Sequence, residues 1–439
     1  MIIPPRRQIV VAVLIAASAC RGGAPGPGLP TPARAPGDSL CTLAAGPGAA
    51  ARDTVSIAVT DPVDRARAPV PRSDAERLVF AQLYETLLQL DCQGRAVPGL
   101  ATAWEQSGDS WTFTLRDGAR FWDGAPVTAR DVAAAWRSRD SALARAVTIT
   151  GDRAFTVRAP DTPLQAFADR ALAITKPAPG GGWPIGTGSR WTSGGDPDTP
   201  DLIVARPVQR AGLAVAKIAT ISPTGVRDAL DGGADLLITR DPTALEYAVR
   251  LSGYVDLPLE WNRTYVLLSP GHDHPDAGEL RLESLRDAVH GDARPAEWHE
   301  AGRFWLADLK RCDIRSRDAP GAPGMRHRIV YDQSDRSAAD LAARLVGLGV
   351  LGRGTVAAGV PPAAFPAALR AGGDAWYVID APRRVYDACR AALELPPWIA
   401  GGTIEPLLDV RAHAAVRRGM PRLALEWDGT LRLTPLKSP

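Results

Sequence analysis

LVFAQLYETLLQLDCQGRAVPGLATAWEQSGDSWTFTLRDGARFWDGAPVTARDVAAAW, Leu78 to Trp136, is the stretch on which the fold reading turns. Just upstream, Ser73 can cap a helix with Glu76 as its capping-box partner. Leu78, Val79, Leu83, Leu87 and Leu88 then recur at helical spacing. Together they predict a helix within Ser73–Leu90, with Tyr84–Leu87 as its end. Pro98-Gly99-Leu100-Ala101 makes a bend. Trp111–Arg116 alternates like a strand, and Asp117-Gly118 turns the chain into a short second run, Phe121-Trp122, before Asp123-Gly124. Thr128 caps a further helix reaching Ser138, with Val132, Ala135 and Trp136 on one side.

Outward from this core the alternation continues. Thr54–Thr60 and Phe155–Arg158 read as strands, and Gly180–Gly195 is a glycine-rich loop holding Trp183 and Trp191. Strands and helices alternate again from Leu202, which gives an α/β chain with a sheet-based core. At 439 residues the chain is too long for one ordinary core and suggests two or three lobes. With 45% hydrophobic and 23% charged residues it has the make-up of a globular protein with a sizeable interior. A formal net charge of +2 demands neither nucleic acid nor an anionic surface as partner.

Catalytic signatures are missing. No G-x-S-x-G, H-E-x-x-H or P-loop occurs, and Gly186-Thr187-Gly188 is too short to cradle a phosphate. No catalytic residue and no cofactor are therefore expected. His272-Asp273-His274 is the one metal-like cluster, but its short Pro-flanked setting reads as a surface turn, so no metal site is expected either.

The N-terminus reads as an export signal. Arg6 and Arg7 precede a short apolar run, Ile9–Ala17, too short to span a bilayer. Ala17-Ser18-Ala19 fits ordinary signal cleavage, while the same residues followed by Cys20 resemble a lipobox in which Cys20 is lipidated. The lipoprotein reading is preferred, and the Gly/Pro/Ala-rich residues after it suit a tether. Of five cysteines, four remain once Cys20 is set aside, and an oxidising compartment would let them pair. Three pairings are open, as is a set of inert buried thiols.

The order and spacing within Leu78–Trp136 resemble the N-terminal signature of the family 5 extracellular solute-binding proteins. The matching residues are Tyr84–Leu87, Pro98–Ala101 with Trp104, Leu115-Arg116 with Gly118, Phe121-Trp122, Asp123-Gly124, Pro126, Thr128-Ala129 and Asp131-Val132. Weaker echoes lie at Pro184–Gly188, Val226–Leu237, Asn262–Ser269, Leu282–Val289, Ala338–Val350 and Ile404–Leu433. The resemblance implies a two-lobed periplasmic-binding-protein-like fold of the large type II peptide-binding class. It would have mixed sheets flanked by helices and two chain crossings between lobes. The expected layout is a signal at 1–20, a tether at 21–52, lobe I at 53–268, a shortened lobe II at 269–404 and a return to lobe I at 405–439. On that layout the preferred pairings are Cys41–Cys92 and Cys312–Cys389, each within one lobe.

The implied function is binding of a small solute, an oligopeptide or similar, in the inter-lobe cleft and its delivery to ABC permease subunits. The chain would be a monomer in the periplasm or on the extracytoplasmic face, held to the membrane by its lipid, with no nucleic-acid partner. Candidate ligand-binding residues are Asp61 and Asp64, Trp183 and Trp191 around the Gly-Thr-Gly loop, and Trp376 with Asp380: aromatic planes to stack and carboxylates to pair with an amine. Asp374–Pro382 keeps only part of the family's acidic, Trp-containing strand and loop. The alternative is a degenerate homologue acting as an envelope interaction or sensory protein.

Overall fold

The computed structural model describes residues 41–43, 53–139, 141–160, 162–193, 201–208, 213–269, 298–300, 328–349, 351, 354–382, 398 and 403–433. The expected signal with Cys20, most of the tether, the His272–His274 turn, Leu282–Val289, Cys312 and Cys389 lie outside them.

The first half of the chain runs β1 (Thr42–Leu43), β2 (Thr54–Val59), α1 (Asp74–Leu83), β3 (Leu88–Leu90), β4 (Ala96–Pro98), β5 (Ala101–Ser107), β6 (Ser110–Leu115), α2 (Ala129–Arg137), α3 (Ser141–Arg145), β7 (Val147–Ile149) and β8 (Ala154–Arg158). Then come β9 (Arg190–Trp191), β10 (Leu202–Pro207), β11 (Val215–Thr220), α4 (Val226–Asp231), β12 (Leu236–Thr239) and α5 (Pro242–Arg250). The remainder is β13 (Tyr254–Ser269), β14 (Trp298–Glu300), β15 (Arg328–Asp332), α6 (Arg336–Leu348), β16 (Val356–Val360), α7 (Phe365–Ala371), β17 (Trp376–Pro382), β18 (Thr403–Arg417), β19 (Leu423–Leu425) and β20 (Leu431–Leu433).

One eleven-stranded mixed sheet organises the chain, in the order β16-β15-β17-β13-β18-β12-β2-β11-β10-β9, with β14 also on β18. Two long antiparallel strands, β13 and β18, hold its halves together. Tyr254–Pro258 of β13 pairs with Arg417–His413 of β18, beside β12. Arg263–Leu268 stays paired with β18 and also pairs with β17 on its other side. The pairing slips register at Pro258/Trp261 and again at Trp261/Arg263, where the strand passes from one half-sheet to the other. Each half has cores of its own. Leu78, Phe80 and Trp183 pack on the β2 side, and Leu341, Leu345 and Trp376 pack beneath α6.

A separate antiparallel sheet, β5-β6-β8-β7, packs on α2. Phe113, Phe155, Phe167 and Trp136 fill that core, and Trp136 donates its indole N–H to Leu172 O at 2.9 Å. The aromatics of the Leu78–Trp136 stretch are thus largely interior. Its polar residues form a keystone. Arg116 donates to both oxygens of Glu85, at 2.9 and 2.8 Å, and to Gly99 O at 2.9 Å. A Cβ on Gly99 would lie 2.6 Å from Thr86 O, so the Pro-Gly bend must carry glycine there.

Two local expectations are corrected. The first helix ends at Leu83 rather than running toward Leu90, and Tyr84 is already extended. The end carbonyl is taken by the glycine loop, since Gly188 N donates to Leu83 O at 2.9 Å. Leu87 and Leu88 then turn into the neighbouring core as an entry to β3. Phe121-Trp122 is not the second arm of a hairpin. The partner of β6 is β5, on the upstream side, joined through the Ser107–Ser110 turn with Gly108 at φ 55°.

The C-terminal hairpin β19–β20 returns to the first half, where β19 pairs with β1. Cys41, beside β1, is joined to Cys92 by a disulfide. Arg170 and Arg432 both pair with Glu426 of the hairpin. At its tip Gly429 lies so close to Asn262 that an added Cβ would be 3.1 Å from the amide nitrogen, so the tip buttresses the β13 crossing.

Candidate functional site

The densest meeting of charge between the two half-sheets lies at that crossing. Asp74 opens α1, Arg240 follows β12, and Asn262 sits inside the register break. Asn262 donates its amide N–H to Asp74 at 3.1 Å and accepts from Arg240 at 2.7 Å. Arg240 pairs directly with Asp74, and the Arg77 Nε stands 3.5 Å away. Burial alone would raise the Asp74 pKa, but Arg240, Arg263 and Arg77 outweigh it and hold the carboxyl far below the usual range.

One residue further along β13, Arg263 points its guanidinium at Asp380 of β17, with Nη1 3.2 Å from the carboxylate. Burial works against the Arg263 charge, but Asp380, Asp74, Tyr265 and Asp61 raise its pKa well above the ordinary value. The Tyr265 hydroxyl donates to Asp335, 2.9 and 2.8 Å from its two oxygens, while Asp335 also caps α6 by accepting from Ala338 N. Desolvation and the nearby Asp380 charge raise the Asp335 pKa. Arg336 of α6 reaches across to Asp241, the cap of α5, at 3.1 Å. The cluster therefore joins α1, α5 and the loop after β2 to β17 and α6 through the crossing strand.

Of the six residues named from sequence, the structure places Asp380, on β17, in an ion pair with Arg263, while Asp61, in the loop after β2, contributes the smallest of the four charge effects on that arginine. Asp64 caps the turn at Arg65–Arg67 instead, accepting from Ala66 N at 2.9 Å. Trp183 is buried against Phe80, with ring centroids 6.2 Å apart. Trp191 lies on β9 under the guanidinium of Arg206. Trp376 is wholly buried beneath α6, because alternation along β17 turns it to the opposite face from Tyr377. Stacking by Trp183 and Trp376 is thus replaced by core packing.

Sequence reading missed Arg263, Asp335 and Asp74. Arg263 had one visible signal: it is the lone charge in the apolar run Trp261–Leu268. Chemically the cluster gathers charged and hydrogen-bonding groups from both half-sheets. Among the described residues no group of three or more His, Cys, Asp or Glu is arranged to hold a metal ion.

Known proteins share this architecture. The murein tripeptide-binding protein MppA of Escherichia coli superposes with a TM-score of 0.63 at 14% identity, over 88% of this chain and 99% of that one. NikA of Staphylococcus aureus, solved in complex with Ni(L-His)2, gives 0.61 at 12% identity, over 87% and 98%. The family model for bacterial extracellular solute-binding proteins, family 5, matches residues 95–145. Over that stretch the chain is similar to the family 5 extracellular solute-binding proteins, and the solved structures share its fold. In sequence, this chain is 45% identical to E. coli MppA over 60 residues, 13% of this chain and 11% of MppA. It is 44% identical to the oligopeptide-binding protein OppA of Haemophilus influenzae over 70 residues, 16% of this chain and 12% of OppA. The sequence match thus spans a small part of the curated relatives' length, while the likeness of fold spans nearly all of it. The matched residues 95–145 run from β4 to α3, in the keystone rather than the crossing.

Proposed function

We propose that this chain is a family 5 extracellular solute-binding protein, the extracytoplasmic solute-binding component of an ABC import system. It takes a small solute, an oligopeptide or similar, between its two half-sheets and hands it to permease subunits. The observation that carries this reading is the crossing cluster: Asp61 and Asp74 come from one half, Asp335 and Asp380 from the other, and the lone strand residue Arg263 stands between them. Side chains on both sides of a hinge let a bound molecule bridge the halves and favour closure. The relatives named as peptide- and nickel-binding support the same class.

The proposal includes lobes at 53–268 and 269–404 with a return at 405–439, and the register slip at 258–263 supports a crossing in that region. It also includes a cleaved signal, lipidation at Cys20, a periplasmic or extracytoplasmic location on a membrane anchor, and a monomeric, non-enzymatic chain. In this reading Asp61 and Asp380 face the solute, while Asp64, Trp183, Trp191 and Trp376 support the fold.

Native mass spectrometry of the chain purified from its exported form tests this directly. A retained small solute, released on unfolding and reduced in an Asp61→Ala/Asp380→Ala variant, is expected. A solute-free chain that also takes up no peptide, amino acid or nickel–histidine complex would favour the interaction or sensory role instead.

A further inference from the structure

The arginine at the crossing bears on which solute can be taken. An amine-headed ligand needs a carboxylate to pair with, and Asp380, on β17, stands at the crossing with its side chain 34% exposed. That carboxylate is already paired. Arg263 lies 3.2 Å away, its own side chain only 11% exposed, and it is fixed to a strand rather than delivered by a ligand. Asp61 acts on the same guanidinium from the other half. The remaining charges are matched elsewhere: Asp74 holds Arg240 and Arg77, and Tyr265 covers both oxygens of Asp335. Arg263, like Arg77 and Arg240, keeps a buried Nε–H without an acceptor among the described residues, and of the three it is the one that pairs with the partly exposed Asp380. An incoming ammonium would have to displace a desolvated guanidinium from Asp380 and leave that buried charge without its partner, which is unfavourable.

We propose that Arg263 is a built-in counter-cation and specificity-determining residue: it fills the place beside Asp380 that a cationic ligand group would take. The solute presents a neutral or anionic group at this point, and amine-headed solutes are refused there. This rests on the reading of the crossing as the ligand site.

Reciprocal chemical rescue tests it on the full chain. Arg263→Ala empties a cation-shaped hole, so methylguanidinium chloride should raise its melting temperature above the effect of sodium chloride at equal ionic strength. Its affinity should be about tenfold or more above that of wild type or Arg263→Ala/Asp380→Asn, as befits a charge-assisted hydrogen bond. Ethylammonium should follow the same order more weakly. Arg263→Lys, which keeps the charge, should refuse both probes as wild type does. Asp380→Ala leaves Arg263 unpaired and should be stabilised by sodium acetate beyond wild type, an arm that stands even if Arg263→Ala fails to fold. Equal responses of variants and wild type to methylguanidinium and to acetate overturn the proposal. Binding of amine-headed peptides by wild type through Asp380 overturns it too and leaves the solute-binding reading standing. Both rescues intact, with no solute bound from any library, would count against the solute-binding reading instead.

Discussion

Replacing Asp74 with alanine should unfasten the crossing from the first helix. The carboxylate accepts from Asn262 and pairs with Arg240 and Arg77, and its side chain is only 9% exposed. Removing one partner of a buried ionic cluster leaves uncompensated charge, at a cost of about 3–5 kcal/mol. At about 2.1 cal/mol/K per residue, a cooperative unit of about 380 residues, the lobes without signal and tether, has an unfolding entropy of roughly 0.8 kcal/mol/K, so the melting temperature should fall by about 4–6 °C. If the first half unfolds by itself the fall is larger. The pH dependence adds a second handle. The folded-state pKa of Asp74 is depressed, so its stabilisation is complete above the ordinary carboxylate value of 3.8 and is lost as pH falls through and below it. The gap between wild type and Asp74→Ala should therefore be full at about pH 7 and narrow steadily below about pH 4. Thermal unfolding followed by circular dichroism across that range is the assay. A fall under about 1 °C, or a gap that does not change with pH, would refute the ionic account of the crossing.

Other outcomes follow from the same structure. Gly188→Ala places a methyl 2.4 Å from the Leu83 carbonyl carbon and 2.5 Å from Gln82 O, so it should cost about 2–4 kcal/mol in urea unfolding. A neutral result would mean that the glycine loop does not bear on the end of α1. Breaking the Cys41–Cys92 bond in a double alanine variant opens a loop of sequence separation 51, worth up to about 4 kcal/mol by chain entropy, and should lower the melting temperature of the first half. Arg336→Ala removes an exposed cross-half pair and should change stability by less than about 1 kcal/mol. It should also enlarge the solution radius of gyration measured by X-ray scattering, and an unchanged radius would mean that the pair does not hold the halves together.

What could be read from the sequence was local. Ser73 with Glu76 and Thr128 with Asp131 do start helices, because capping is settled within one turn of chain. Trp111–Arg116 shows as a strand because alternation is a property of neighbours. Its partner was harder to find. The Gly108 turn that joins it to β5 follows a bend at Pro98-Gly99 and was hidden by it, whereas Asp117-Gly118 advertised a turn on the wrong side. Trp183 and Trp376 have the chemistry of a stacking wall, and only tertiary packing decides that they face a core. Asp61 and Asp380 could be suspected as carboxylates in suitable places, but Arg263, which pairs with Asp380, is remote from both in sequence, so no pattern announces the cluster. The Leu78–Trp136 signature reports the fold through Glu85, Gly99 and Arg116, which hold the chain together away from the crossing.

The claim that the crossing is where a solute is held is tested most directly by one comparison. Wild type and the Asp61→Ala/Asp380→Ala variant are screened side by side by thermal shift against di- to pentapeptides, amino acids and nickel–histidine. At a hundredfold excess over its dissociation constant a bound solute adds about 2.7 kcal/mol to stability. A saturating rise in the wild-type melting temperature with one class of solute, abolished in the variant, is the predicted result. An equal rise in both proteins would place the solute elsewhere and contradict it.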